Sequence, residues 1–383
     1  MNRSWPFVEL DSLTEEGRSV TYGVVKPGEE AEGGVAFVRG GDISQGRIAI
    51  SELRTITPQL SQVYRRTVLR GGELLISLVG NPGEVAVAPP VLEGANIARQ
   101  VGLIALRPEL DARFAMYFLM SPLGCAELFS RTGGAVQQVI NLADLKTLKF
   151  PVPPKNEQQR IVSILSAYDD LMENNRRRMV LLENAARVLY QEWFVRLHFP
   201  GYEHTATAHG IPQGWERAPF EDALVLQRGF DLPERQWEDG AIPICGSTGV
   251  IGYHSEAKAG GPGVFTGRSG SLGVVNYVDE DYWPHNTALW VREFKKVTPL
   301  FALFLMRNMD LKQYNGGASV PTLDRKAVHR VPVLIPAQRL VTLFEEQVSP
   351  MFAQLRNLRL QNQKLRAARD LLLPRLMSGE IEV

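Results

Sequence analysis

Laid against itself, the sequence matches its own second half at eight places in the same order. Gly23-Val24-Val25-Lys26-Pro27 falls on Gly229-Phe230-Asp231-Leu232-Pro233, Phe37-Val38-Arg39-Gly40 on Pro243-Ile244-Cys245-Gly246, and Gly46 on Gly252. Further on, Gly80-Asn81-Pro82-Gly83 falls on Gly270-Ser271-Leu272-Gly273, and Asn96 on Asn286. The run from Ala115 to Met120 meets Phe301 to Met306, Gly133-Gly134-Ala135 meets Gly316-Gly317-Ala318, and Phe150-Pro151-Val152 meets Val331-Pro332-Val333. No single match carries weight. Eight in order, with slowly drifting spacing, indicate a duplicated unit. At 383 residues the chain exceeds one ordinary core, so duplication implies two copies of a globular domain.

Each copy has a globular part and a helical part. The globular parts, 1–150 and 205–331, are rich in glycine and in short β-prone runs such as Glu73 to Leu78 and Gly263 to Thr266. One amphipathic helix is expected in each, around 112–121 and 298–308. Proline punctuation then opens the helical parts, 151–204 and 332–383. In the first, Ile161, Tyr168, Asn175, Leu182 and Leu189 recur every seventh residue, with Leu165, Met172, Met179, Ala186 and Trp193 four residues behind. In the second, Val341, Val348, Leu355, Asn362, Arg369 and Leu376 form one row, and Phe344, Met351, Leu358, Leu365 and Leu372 the other. Two rows at 3-and-4 spacing describe a coiled-coil seam. Two such helices in one chain most simply pair with each other, antiparallel. Ser349-Pro350 reads as the end of a short helix and the start of the long one. The fold class is therefore α+β: two mainly β or mixed globular domains joined by two long antiparallel helices, with pseudo-twofold internal symmetry.

Composition narrows the function without giving it. The net charge is zero, which argues against a protein that coats nucleic acid indiscriminately, but not against a reader with one basic face. No apolar run approaches the length of a membrane span, and the N-terminal residues lack a signal peptide's apolar core, so a cytoplasmic chain is expected. Cys125 and Cys245 form no metal spacing, and the six histidines show none either. Gly267-Arg268-Ser269 lacks the first glycine and the lysine of a phosphate-binding loop. Asp239, Glu256 and Lys258 amount to a chance echo of a metal-dependent nuclease. No catalysis by this chain is expected, and no cofactor bound to it.

The helix ends carry a resemblance. Leu189-Tyr190-Gln191-Glu192-Trp193-Phe194-Val195-Arg196, Phe199-Pro200-Gly201 and Ile211-Pro212-Gln213-Gly214-Trp215-Glu216 resemble the central region of specificity subunits of type I restriction–modification systems. Pro153-Pro154-Lys155-Asn156-Glu157-Gln158-Gln159-Arg160-Ile161 resembles the entry to that helix, and the stretch from Leu371 to Ile381 the C-terminal end. The resemblance implies that each globular domain is a target recognition domain for half of a bipartite site in double-stranded DNA. It further implies a coiled-coil spacer on which two methyltransferase subunits dock, with S-adenosylmethionine on those partners, and endonuclease or translocase subunits as further partners. A specificity chain for a fused methyltransferase–endonuclease system fits the same residues. A scaffold whose two modules bind protein or carbohydrate is the alternative from another class.

Base reading needs Arg, Lys, Asn, Gln, Ser or Thr presented on loops. In the first domain the candidates are Arg39, Ser44, Gln45 and Arg47 in one turn, followed by Asn96, Arg99, Gln100, Gln137 and Gln138. In the second they are Ser247, Thr248, Tyr253 and His254, taken as the equivalent turn, and Arg268, Ser269, Asn276, His285 and Asn286 in later loops. Positions that differ between the copies are the better candidates, because two readers of different bases share a scaffold but not contacts.

Overall fold

The computed structural model describes residues 5–130, 139–317 and 320–383. The chain divides into two compact units, Met1–Asn174 with Gln361–Val383, and Asn175–Leu360. The two long helices, Lys155–Tyr190 and Gln338–Met377, each run through the boundary, so each unit holds part of both.

In the first unit a four-stranded antiparallel sheet runs in the order Thr21–Tyr22, Val101–Ile104, Leu74–Ser77, Val85–Val87. Its two middle strands are buried on both faces, which explains their uninterrupted apolar character. A second sheet sets Val35–Val38 between antiparallel Arg54–Ile56 and parallel Asn96–Ile97. Phe7–Glu9 pairs with Lys149–Pro151 and brings the start of the domain to its end. The helix expected near 112–121 spans Ala112–Met120, capped by Asp111, whose carboxylate accepts from the backbone N–H of Arg113 and Phe114. A further short helix, Pro122–Phe129, starts on the Ser121 cap.

The long helices enter this unit through its core. Leu10, Phe114, Phe118 and Phe150 pack in one cluster with Ile161 and Leu165 of the first and Leu373, Leu376 and Met377 of the second. Gln158 is fully buried: its Nε2 donates to Glu109 O and Pro153 O, and its Oε1 accepts from Asp111 N. That one side chain ties the proline-rich helix entry to the turn before Ala112–Met120. The helices run antiparallel here. Asn362 Nδ2 donates to Met172 O at 3.2 Å, and Arg369 Nη1 lies 2.6 Å from Asp169 Oδ1 seven residues on. Arg369, in a row that the sequence spacing assigns to a seam, is buried and paired with Asp169 and Asp370. Tyr117 donates to Asp169 Oδ2 at 2.6 Å, and burial with the Asp169 charge holds its phenol well above its usual range.

The second unit has the same plan. Its four-stranded sheet runs Leu224–Arg228, Ala288–Phe294, Gly263–Gly267, Val275–Val278, and its three-stranded sheet sets Ile242–Gly246 between antiparallel Gly249–His254 and parallel Trp283–Pro284. Glu216–Pro219 pairs with Pro332–Ile335, and a helix spans Pro299–Asn308. Gly80 and Gly83 have φ of 90° and 92°, and the aligned Gly270 and Gly273 have 83° and 87°, so these turns need glycine in both units. The core is aromatic: Tyr190, Phe194, Phe301, Phe304 and Phe344 stand with ring centroids 4.9–6.3 Å apart.

Three sequence expectations change. The second long helix passes through Ser349-Pro350 without a break, because Phe344 and Val348 on one side and Leu355 on the other are held in the core while Pro350 faces solvent. Strand register moves the alignment. Asn96 pairs with Phe37 whereas Trp283 pairs with Ile244, so the residue in the place of Asn286 is Arg99, three on from Asn96, and Phe37 corresponds to Ile244 rather than Pro243. The 39–47 turn has no full counterpart. The first unit inserts a small hairpin, Ile43–Ser44 with Arg47–Ile48, where the second turns tightly at Ser247-Thr248 into Gly249–His254. Gly46 and Gly252 are therefore not equivalent, and Tyr253 and His254 lie on a strand instead of a turn.

Candidate nucleic-acid interface

The central strands of each unit end together, and loops gather where they end. In the second unit these are the segments around 229–231, 246–248, 268–270 and 285–287. Phe230 N donates to Pro284 O at 2.7 Å, His285 N to Cys245 O at 2.9 Å, and Arg268 N to Thr287 O at 2.8 Å. Gly267 runs so close to the next turn that a Cβ there would lie 3.0 Å from Ser247 O. Side chains finish the assembly. Arg268 Nε donates to Asn286 O at 2.9 Å, His285 Nδ1 stands 2.9 Å from Thr287 Oγ1, and Asn286 Nδ2 donates to Asp231. Arg228 Nη2 lies 3.1 Å from Asp231 Oδ1. The hydrogen bond from Asn286 and the charge of Arg228 hold the Asp231 carboxyl below its usual range.

Of the second unit's candidates, Ser247, Thr248, Arg268, Ser269, His285 and Asn286 come together at this end. Asn276 lies on Val275–Val278 near Gly249, and its Nδ2 is buried without a partner among the described residues. Tyr253 is exposed at the opposite end of its hairpin. His254 is buried, its Nδ1 accepts from Glu238 N at 3.0 Å, and its ring stands edge-on to Trp283. It closes the fold and is not presented to a ligand.

In the first unit the corresponding end gathers the segments around 24–26, 39–41, 78–83 and 98–100. Ala98 N donates to Val38 O, Arg99 N to Val24 O and Leu78 N to Gln100 O, at 2.7–2.9 Å. Arg99 and Gln100 are exposed there, and Arg99 makes no side-chain hydrogen bond or ion pair among the described residues. Ser44 and Gln45 are exposed on the small hairpin, where Gln45 N donates to Glu84 Oε2 at 2.6 Å. Three other candidates are committed elsewhere. Arg39 grips Asp42 with two nitrogens at 2.7 and 3.0 Å, Arg47 binds Glu173 and the Asp169 carbonyl on the long helix, and Asn96 is fully buried with its amide on Tyr64 O. Gln137 and Gln138 lie outside the described residues.

Sequence reasoning passed over Arg228, Asp231 and Thr287. Asp231 left a signal, since it faces apolar Val25 in the aligned copy. Among the described residues, no group of three or more His, Cys, Asp or Glu could hold a metal and no helix is long and apolar enough to cross a membrane. The convergent loops offer hydrogen-bond donors and acceptors fixed on rigid strand ends, a surface suited to polar edges.

Comparison with known proteins shows what these features resemble. The model of the type I restriction modification DNA specificity domain matches residues 4–184. The type I restriction enzyme MjaIX specificity subunit of Methanocaldococcus jannaschii is 25% identical over 364 residues, covering 86% of this chain and 82% of that protein. The EcoBI specificity subunit of Escherichia coli is 30% identical over 175 residues, 44% of this chain and 36% of that one. The crystal structure of a type I restriction–modification S subunit from M. genitalium has the same fold, with a TM-score of 0.60 at 18% identity over 98% of this chain and 96% of that chain. The matched domain covers the first part of the chain, and over most of its length the chain is similar to specificity subunits of type I restriction enzymes.

Proposed function

We propose that the chain reads a bipartite site in double-stranded DNA for partner methyltransferase subunits, each unit contacting one half-site through the loops at its strand ends. The observation that carries this reading is the repeated plan: one strand order and one register in both units, with different side chains at the convergent loops. Duplicated scaffolds with divergent loops suit a ligand with two similar but unequal halves.

The two long helices act in this reading as an antiparallel coiled-coil spacer. Their 36 and 40 residues correspond to about 54 and 60 Å at 1.5 Å per residue, enough to separate two readers by one or two turns of DNA. Their outward faces carry exposed apolar residues, Leu171, Val180, Leu181, Val188 and Leu371, which supply docking area for two methyltransferase subunits. S-adenosylmethionine belongs to those partners and the methyl transfer takes place there. This chain contributes selection of the site, in the cytoplasm, and endonuclease or translocase subunits join the same assembly. Zero net charge makes the affinity of the isolated chain modest and leaves the partners to supply much of the phosphate contact.

The test is a methylome of a host with and without the chain. One adenine-methylated motif with two short defined halves and a fixed unread gap should vanish on deletion; a motif that persists unchanged rules the reading out.

A further inference from the structure

Register, rather than sequence identity, identifies which residues of the two units stand in the same place. In each unit a short strand lies parallel to the middle strand of the three-stranded sheet, Asn96–Ile97 beside Val38 and Trp283–Pro284 beside Cys245. The next residue makes an isolated parallel bridge to the glycine-led segment, Ala98 with Val24 and His285 with Phe230. One residue further the chain turns outward among the convergent loops. That residue is Arg99 in the first unit and Asn286 in the second.

We propose that Arg99 and Asn286 are equivalent base-reading residues, Arg99 selecting guanine in one half-site and Asn286 adenine in the other. The inference rests on the DNA-reading function above and deepens it. Both backbones are pinned. Arg99 N donates to Val24 O at 2.9 Å, and Asn286 O accepts from Arg268 Nε at 2.9 Å. The side chains differ in the manner that discriminates bases. A guanidinium donates two parallel hydrogen bonds to O6 and N7 of guanine, while a carboxamide accepts from N6 and donates to N7 of adenine. Arg99 is exposed and makes no side-chain hydrogen bond or ion pair among the described residues, as an arginine that must meet a base requires.

Asn286 needs help that Arg99 does not, because a carboxamide can rotate and offer either end. Asp231 gives it: one N–H of Nδ2 is taken by the carboxylate, which fixes the amide and leaves Oδ1 and the second N–H as one acceptor and one donor, the pattern adenine complements. Arg228 holds Asp231 in turn. The first unit has Val25 in the position of Asp231, so it carries no carboxylate there to draw Arg99 away from a base. Asp231 is thus a positioning residue.

The experiment is adenine methylation by the complete complex, mapped in the host and then measured on duplexes with each base pair of the motif replaced in turn. Wild-type complex should show guanine in one half and adenine in the other among the defined bases. Arg99→Ala should relax one guanine, Asn286→Ala one adenine in the opposite half, each by roughly ten- to hundredfold in preference, with all other positions unchanged. Should either substitution abolish methylation, Arg99→Lys and Asp231→Ala must relax those same two positions, both being exposed residues whose change leaves no cavity. A motif unaltered in these variants, or relaxation at a different base, overturns the assignment while the bipartite wild-type motif keeps the DNA-reading function. Loss of that motif's dependence on the chain overturns the function itself.

Discussion

The two units share a strand order but hold the long helices by different means. In the first unit polar contacts join the apolar packing: Asp169 takes Arg369 on one oxygen and Tyr117 on the other, while Asn362 reaches Met172 O. In the second the contact is a cluster of rings, with Phe344 of one helix among Tyr190 and Phe194 of the other and Phe301 and Phe304 of the domain. Rings supply area and dispersion without direction. A buried ion pair adds little net stability, but it is satisfied only when both helices are correctly aligned. The first contact is suited to fixing register along the helices, the second to fastening them.

The difference can be broken from the apolar side first. Phe344→Ala removes a fully buried ring with five aromatic neighbours, and should cost about 3–5 kcal/mol. Equilibrium denaturation gives the size; hydrogen exchange shows whether protection is lost in 175–360 alone. On the polar side Asp169→Ala leaves Arg369 buried with only Asp370, and should cost about 3 kcal/mol. Unlike the aromatic loss, this one should be largely recovered by a second change, Arg369→Met, which removes the stranded charge. A double mutant no more stable than Asp169→Ala would mean that the pair carries the contact by itself.

This division was half legible in the sequence. Periodic apolar positions stood out because spacing is a property of the chain, and several are buried, Ile161, Leu165 and Leu376 in the first core and Val341, Phe344 and Val348 in the second. The partner of Arg369 did not stand out, nor did that of Arg47, because Asp169 and Glu173 come from segments 200 and 126 residues away in sequence. Some of the loop candidates stand at the convergent loops, and others, such as Arg39, Arg47 and Asn96, are committed elsewhere in the fold. Asn96 and Asn286 matched by identity, yet identity follows residue type while register follows backbone pairing, and a buried amide on Tyr64 O answers to the fold. Arg99 was legible as an exposed polar residue, but its correspondence with Asn286 needed the parallel strand beside it.

Pro350 sharpens the contrast between the helices, since Lys155–Tyr190 has no proline while Gln338–Met377 carries Pro350 in its first half, on an exposed side, and Pro374 in its last turn. Packing of Phe344, Val348 and Leu355 overrides the lost hydrogen bond. Pro350→Ala should therefore stabilise the second unit by roughly 2 kcal/mol, the helix gain of about 3 less up to about 1 for the looser unfolded chain. An unchanged or lowered denaturation midpoint would show that the proline sets a bend the packing requires.

The smallest expected effect separates the units by pH. The short helix Leu142–Lys146 of the first unit ends on Lys146, exposed beside Asp11, whereas the matching Arg325–His329 ends on a histidine whose Nε2 accepts from Leu226 N at 3.1 Å. Burial, then the charge of Arg325, pulls the His329 pKa below its usual value, with Glu221 at 3.7 Å opposing. The unfolded chain then binds this proton first as pH falls below about 6.5, so the contribution is complete above that value and declines toward the lower folded-state pKa. Thermal melting followed by hydrogen exchange between pH 7.5 and 5.5 should show 205–331 weakening on this account while 5–130 does not. In His329→Gln an amide oxygen can take the Leu226 N–H without titrating, so this step should flatten. A step that survives the substitution assigns the acid sensitivity to carboxylates shared by both units and removes the contrast.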